Sequence, residues 1–259
     1  VLTGANLANR DLLYLGVSGD GDSASIGLGQ FANAMRRGVR MAYIVENNGV
    51  YGLTKGQFSA TADRGSKSKK GIVNSDSPVD LVGIALQLGA TYVARSFSGD
   101  KAQLVPLIKG AMAHGGAAFI DVISPCVTFN NHGGSTKSYD YVRHHNEAVS
   151  RIDFITPRSE ITTDYAPGEV VDVQQHDGST LRLRKLQPDY NPTDRYAAMS
   201  YIHAHQARGE VVTGLLYLDP LATDLHMALN TSETPLNVLG VEQLCPGAKA
   251  LEKINSSLR

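Results

Sequence analysis

Cysteine is scarce in this chain of 259 residues. Only Cys126 and Cys245 are present, too few for a disulfide framework. Net charge is nearly absent as well, at −1 from 24 basic and 25 acidic residues, which argues against general affinity for nucleic acid or an acidic membrane surface. No apolar run approaches the roughly 20 residues that span a bilayer, and no secretory signal is visible. A reducing, cytoplasmic setting is the expectation. Repeats, low-complexity tracts and a clean interdomain linker are missing too, so the length suits one large α/β core with an appendage. An initiator methionine is also lacking. The chain opens Val1-Leu2-Thr3-Gly4, reads as the middle of a helix, and soon reaches its first strand, so sequence upstream of Val1 is expected.

What the chain does have is an acidic residue inside a glycine turn. Gly19-Asp20-Gly21-Asp22 follows the apolar run 11–17, which suits a buried strand. Ser23 is a plausible N-cap for a helix over 24–37 closed by Gly38, and 39–45 is the next buried strand, ended by Asn47-Asn48-Gly49. Strand, helix and strand of this length predict a parallel βαβ unit with a right-handed crossover. Ligands on such sheets collect at the carboxyl ends of strands, where Asp20 and Asn48 both fall. Backbone amides at such a turn attract anions. A carboxylate placed among them repels a phosphate unless a divalent cation lies between. Asp20 and an oxygen of Asn48 would suit Mg²⁺, which takes few protein oxygens and completes its octahedron from diphosphate and water. That is the arrangement thiamine diphosphate requires.

The same residues support a rival. Gly19-x-Gly21-x-x-Ala24 meets a relaxed dinucleotide fingerprint, with Glu46 where a ribose-binding acid would stand. Against it, Asp20 would face the pyrophosphate without a counterion, and Asn47-Asn48 would have no task. The plain alternative is a βαβ turn that binds nothing.

Further along, 58–77 is polar, Ser-rich and basic through Arg64, Lys67, Lys69 and Lys70, a solvated loop or a lid over the site. Ser77-Pro78-x-Asp80 opens a helix to Leu88 stopped by Gly89, with a strand over 91–95, a helix from Ser98 to about His114, and a buried strand over 117–123. This alternation predicts a mostly parallel sheet flanked by helices. Ser124-Pro125-Cys126 puts Cys126 at another carboxyl strand end, although a lone cysteine is more often a small buried apolar residue. Residues 127–141 read as irregular, and His132, His144 and His145 lack ligand-like spacing. Beyond Arg151 a β-hairpin is expected, 169–175 and 180–186 about an Asp-Gly turn, with Arg182, Arg184 and Lys185 as a basic face. A helix over 194–207, a strand over 211–218 and short helical pieces complete the chain.

Three segments together resemble the β subunit of the 2-oxoacid:ferredoxin oxidoreductases: Gly19-Asp20-Gly21-Asp22 to Asn48, Tyr51-Gly52-Leu53-Thr54-Lys55-Gly56-Gln57, and Ser124-Pro125-Cys126-Val127-Thr128-Phe129-Asn130. Arg182 to Leu186 and Tyr190-Asn191-Pro192-Thr193-Asp194-Arg195 lean toward the 2-oxoglutarate branch. The resemblance implies a thiamine diphosphate-binding α/β fold over 1–150 and a C-terminal hairpin and helix extension over 151–259, packed on the same domain. It implies Mg²⁺ ligands at Asp20, Asn48 and the Val50 carbonyl, and a cofactor site drawing on Gly19, Gly21, Asp22, Tyr51, Gly52, Leu53 and Thr54. Cys126 matches the last ligand of a [4Fe–4S] cluster, whose other three cysteines have no counterpart in this sequence, and Cys245 matches nothing in that pattern. The implied activity is coenzyme A-dependent oxidative decarboxylation of a 2-oxoacid, 2-oxoglutarate first, with electrons passed to ferredoxin. The acid that activates the cofactor is expected on a larger α subunit, in an α₂β₂ assembly. Pyruvate or branched-chain specificity, a cluster-free thiamine diphosphate lyase or decarboxylase, and a non-catalytic nucleotide-binding module are the alternatives.

Overall fold

The computed structural model describes residues 1–54, 56–66, 71–124, 160–175, 180–245 and 247–258. In its first half the elements are α1 (Leu2–Ala8), β1 (Leu15–Gly19), a π-helical turn (Asp22–Ile26), α2 (Leu28–Arg36), β2 (Met41–Asn47), β3 (Val50–Tyr51), β4 (Gln57–Phe58), α3 (Leu81–Gln87), β5 (Tyr92–Phe97), α4 (Lys101–Ala113) and β6 (Ala117–Ile123). Then come β7 (Val170–Gln174), β8 (Thr180–Lys185), α5 (Arg195–Gln206), β9 (Val211–Leu218), α6 (Leu225–Leu229), a 3₁₀ turn (Leu236–Val238), α7 (Val241–Leu244) and α8 (Gly247–Ser257).

Seven strands form one sheet in the order β1-β2-β6-β5-β9-β8-β7. The first four are mutually parallel. β9 runs antiparallel to β5, β8 parallel to β9, and β7 antiparallel to β8, so the expected hairpin extends the same sheet. All six residues of β5 are buried, as are the first six of β6. Continuous burial of that kind belongs to parallel strands covered on both faces. The two faces follow the period of two. Val45, Val93, Ala117 and Phe119 pack under α2, α3 and α5 with Phe31, Met35, Leu86 and Ile202. Ala42, Ile44, Ala94, Ala118, Ile120 and Val122 face α4 through Leu107 and Ala111.

Helix starts differ from the sequence expectation in a consistent way. α3 begins at Asp80, whose carboxylate accepts from the Val82 amide, rather than at Ser77-Pro78. α4 begins at Asp100, which accepts from the Gln103 amide, rather than at Ser98. Asp and Ser are comparable N-caps, so the side chain that caps is the one standing where the chain turns into the helix. The expected Ser23 cap is also replaced. Ser23 lies inside the π turn, its hydroxyl bonded to Ser18 Oγ at 3.1 Å and Tyr43 Oη at 3.0 Å, and Gly21 stands at the helix start. The expected strand boundaries shift as well. β1 runs to Gly19 and β2 to Asn47, which brings both glycine-rich turns directly onto strand ends.

Candidate functional site

Asp20 follows β1 and is 1% exposed. Its carboxylate accepts from the backbone amides of Asn48 (3.4 Å, Oδ1) and Gly49 (3.1 Å, Oδ2) and from the hydroxyls of Ser59 and Thr61 on Oδ2. The two motif turns are therefore joined through this one side chain. Gly49 makes the geometry possible, since at φ +73° it turns its amide back toward Asp20 in a conformation L side chains rarely adopt. A second tie runs between Tyr51 and Gly21. The Tyr51 hydroxyl donates to the Gly21 carbonyl at 3.0 Å, and a Cβ on Gly21 would stand 2.4 Å from the Tyr51 ring. No larger residue fits there without displacing the ring.

Asn48 is exposed, and its Oδ1 accepts from the Val50 amide at 3.1 Å. Asn48 and Val50 thus share one turn, which the Asp20 carboxylate meets from the turn after β1 through the Asn48 and Gly49 amides, with Gly19 at the end of β1 and Asp22 opening the π turn. The remaining sequence candidates lie in the β3–β4 hairpin. Leu53 is 99% exposed and Thr54 Oγ1 donates to Gln57 Oε1 at 3.1 Å, both with Gly52 in the hairpin connection. Cys126 lies outside the described residues, as do His132, His144, His145 and Lys67, Lys69 and Lys70. Cys245 is free and exposed.

The donor set suits a hard cation. Among the described residues no lysine, arginine or histidine forms an ion pair with Asp20. The described donors to Asp20 are all neutral amides and hydroxyls, so no described side-chain cation competes with a metal ion for its oxygens. Oxygen from Asp20, the Asn48 amide and the Val50 carbonyl is the chemistry Mg²⁺ prefers.

Several residues missed in the sequence reading join this site. Asn47, Arg95 and Asp121 lie on the strand face that carries Val45, Val93 and Phe119, one period further toward the carboxyl ends. Arg95 and Asp121 are register partners on β5 and β6, with Nε donating to Oδ2 at 2.7 Å. The Arg95 Nη2 donates to Asp80 Oδ1 at 3.0 Å, and Asn47 Nδ2 donates to Asp121 Oδ1 at 3.1 Å. Burial opposes the Arg95 charge, yet the neighbouring Asp121 and Asp80 carboxylates more than offset it and hold its pKa above the ordinary value. The signal was present: Asp121 interrupts an otherwise apolar strand, and a charge there requires a partner. Ser59 and Thr61 offered no such signal, because the polar stretch 58–77 reads as solvated. In the structure Ser59 and Ala62 are buried, and Asn74, also buried, donates to the Ala62 carbonyl at 2.9 Å.

A cleft of about 930 Å³ is lined by Asn48, Val50, Asp80, Arg95, Asp121 and Arg182, among others. The basic hairpin arm is neutralised within the chain. Arg182 pairs with Asp172, Arg184 with Glu210, and Lys185 with Asp100. Among the described residues no helix is long and apolar enough to cross a membrane.

Residues 1–122 match the family model of the thiamine pyrophosphate enzyme C-terminal, TPP-binding domain. A 2-oxoacid:ferredoxin oxidoreductase subunit beta from Sulfolobus sp is 46% identical over 130 residues, 50% of this chain and 43% of that protein. The 2-oxoglutarate synthase subunit KorB of Methanocaldococcus jannaschii is 33% identical over 177 residues, 67% of this chain and 66% of that protein. This chain thus spans less than half the length of the first of these relatives. Among solved structures, the 2-oxoglutarate:ferredoxin oxidoreductase from Magnetococcus marinus with 2-oxoglutarate, coenzyme A and succinyl-CoA bound is similar at a TM-score of 0.66 and 28% identity, covering 100% of this chain and 72% of that one. Of the ligands the glycine turn left open, the family model names thiamine pyrophosphate. With the turn, the sheet and these relatives in agreement, the chain belongs to the family of 2-oxoacid:ferredoxin oxidoreductase β subunits.

Proposed function

We propose that this chain binds the diphosphate of thiamine diphosphate through Mg²⁺ and serves a 2-oxoacid:ferredoxin oxidoreductase acting on 2-oxoglutarate, forming succinyl-CoA and CO₂ with electrons passed through iron–sulfur clusters to ferredoxin. The observation that carries it is the buried Asp20 carboxylate, uncompensated by any described cation and tied to the Asn48–Val50 turn. Asp20, Asn48 and the Val50 carbonyl are the proposed Mg²⁺ ligands. The Gly19-Asp20-Gly21-Asp22 turn would lie along the diphosphate, with Tyr51 holding Gly21 in place and Gly52, Leu53 and Thr54 reaching the cofactor from the hairpin. Bound there, thiamine diphosphate supplies the electron sink that lets the carboxylate of a 2-oxoacid leave as CO₂. The chain's own share is anchoring and orientation. Cys126 is proposed as a ligand of a [4Fe–4S] cluster, since thiolates hold such clusters.

The reading extends to partners. No acid near the turn is assigned to activating the aminopyrimidine, so that group is proposed to come from a larger α subunit, in an α₂β₂ complex that takes coenzyme A and ferredoxin. A cytoplasmic location and a boundary near residue 150 between cofactor domain and C-terminal extension belong to the same proposal. The test is reduction of a viologen dye by the complex, supplied with thiamine diphosphate, Mg²⁺ and coenzyme A, on 2-oxoglutarate, pyruvate and a branched-chain 2-oxoacid in turn. Turnover on 2-oxoglutarate that disappears when the α subunit is withheld is expected. Full turnover by the β subunit alone, or none on any 2-oxoacid with both subunits present, contradicts the proposal.

A further inference from the structure

We infer that Ser59 and Thr61 are positioning residues that commit Asp20 Oδ2 to protein donors and reserve Oδ1 for the divalent cation. The inference rests on the metal reading proposed above and adds the residues that orient its ligand. Three donors converge on Oδ2: the Gly49 amide at 3.1 Å and the hydroxyls of Ser59 and Thr61. Among the described residues, Oδ1 receives only the Asn48 amide, at 3.4 Å. A carboxylate oxygen offers about two lone pairs, so Oδ2 is saturated while Oδ1 keeps one to give. Without the hydroxyls the two oxygens would be close to equivalent, and the carboxylate could rotate. Because both donors are neutral, they fix the carboxylate without cancelling the charge that attracts a cation.

The loop bearing these hydroxyls is itself built against both motif turns. The Ser59 amide donates to the Gly49 carbonyl at 3.1 Å, and the Ala60 amide donates to Ser25 Oγ, in the π turn, at 3.2 Å. Thr61 Oγ1 also lies 3.0 Å from Asn47 Oδ1 and 2.9 Å from Ser59 Oγ. The orientation of the Asn47 amide is set from the other side, since its Nδ2 donates to Asp121, the partner of Arg95. Its Oδ1 must therefore face Thr61. A continuous path of polar contacts thus runs from the Arg95–Asp121 pair in the sheet to the Asp20 carboxylate, and Thr61, with a single proton to share between Asn47 and Asp20, is its last link.

Mn²⁺ serves as the probe in place of Mg²⁺, titrated into the assembled full-length complex in the presence of thiamine diphosphate and followed by electron paramagnetic resonance. Residues that orient metal ligands typically contribute about 10- to 100-fold in metal affinity. The double variant Ser59→Ala/Thr61→Val is expected to lose affinity on that scale and to change the Mn²⁺ line shape at saturation, while Thr61→Ser, which keeps the hydroxyl, stays near wild type. Asp20→Asn is run alongside as the control for the metal site. Wild-type Mn²⁺ affinity in the double variant, with binding lost in Asp20→Asn, overturns the positioning role and leaves the metal site standing. Wild-type affinity in Asp20→Asn overturns both. If the double variant fails to fold, Thr61→Val alone decides between the same outcomes.

Discussion

Asp20 and Glu210 are recessed carboxylates satisfied in opposite ways. Glu210 is held by Arg184, whose Nη2 lies 3.2 Å from Oε1, and by His205 Nδ1 at 2.6 Å. The Arg184 hydrogen bond, joined by His205, pulls the Glu210 pKa down to about 2. Asp20, among the described residues, receives only amides and hydroxyls. A carboxylate compensated within the chain is closed to further cations and serves to join elements, here β8 to the turn between α5 and β9. One held by neutral groups has none of the described cations beside it. The Arg95–Asp121 pair is of the closed kind, whereas Asp80 shares the same guanidinium through Oδ1 and its buried Oδ2 meets no hydrogen-bond partner among the described residues.

That contrast can be strained at several points. The largest stability effect is expected from Arg95→Leu, which leaves Asp121 buried without its cation. Removing one partner of a buried pair costs about 3–5 kcal/mol, and chemical denaturation should show it with an unchanged denaturant slope. A loss under about 1 kcal/mol would mean that Asp121 is not dependent on Arg95.

A smaller effect, distinguished by its pH dependence, is expected from Glu210→Gln. In the folded chain the Glu210 pKa is depressed to about 2 from an ordinary 4.5, so its ionised contacts stabilise fully above 4.5 and that contribution is lost as pH falls toward 2. The stability gap between wild type and Glu210→Gln should therefore be widest near neutral pH and narrow on acidification through that window. A gap that does not vary with pH would contradict the ion-pair account. Smallest of all is Arg182→Ala. Arg182 and Asp172 are half exposed, so water screens their pair, and thermal melts of variant and wild type should coincide. A clear drop in melting temperature would show that exposure alone does not sort these pairs.

Much of the architecture was legible because parallel strands buried on both faces leave continuous apolar runs. The stretches around Ile44, Val93 and Ile120 were read as strands on that ground. The stretch around Val17 was read as buried too, but β1 lies at the sheet edge with Leu15 and Val17 exposed. The hairpin followed from its Asp-Gly turn and the 211–218 strand from its apolar run. Helix starts were less legible, since Ser77, Ser98 and Ser23 satisfy the same preference as the aspartates that cap α3 and α4. Which acceptor wins depends on where the chain turns, and that is set by packing. Asp20 and Asn48 were legible through the conflict between a carboxylate and an anion-attracting turn. Ser59 and Thr61 were not, because hydroxyls in a polar loop carry no periodicity, and their role exists only once the loop folds back 39 residues later in sequence onto Asp20. The basic hairpin face was visible as charge, but its neutralisation by Asp172, Glu210 and Asp100 required the sheet order.

The central claim is that the charge of Asp20, and not merely its hydrogen bonds, holds a divalent cation against the cofactor diphosphate. Isothermal titration of thiamine diphosphate into wild type, Asp20→Asn and Glu210→Gln, each with and without Mg²⁺, tests it most directly. The account predicts Mg²⁺-dependent binding in wild type and Glu210→Gln, and loss of that dependence in Asp20→Asn with the fold retained by circular dichroism. Unchanged Mg²⁺-dependent affinity in Asp20→Asn would contradict it.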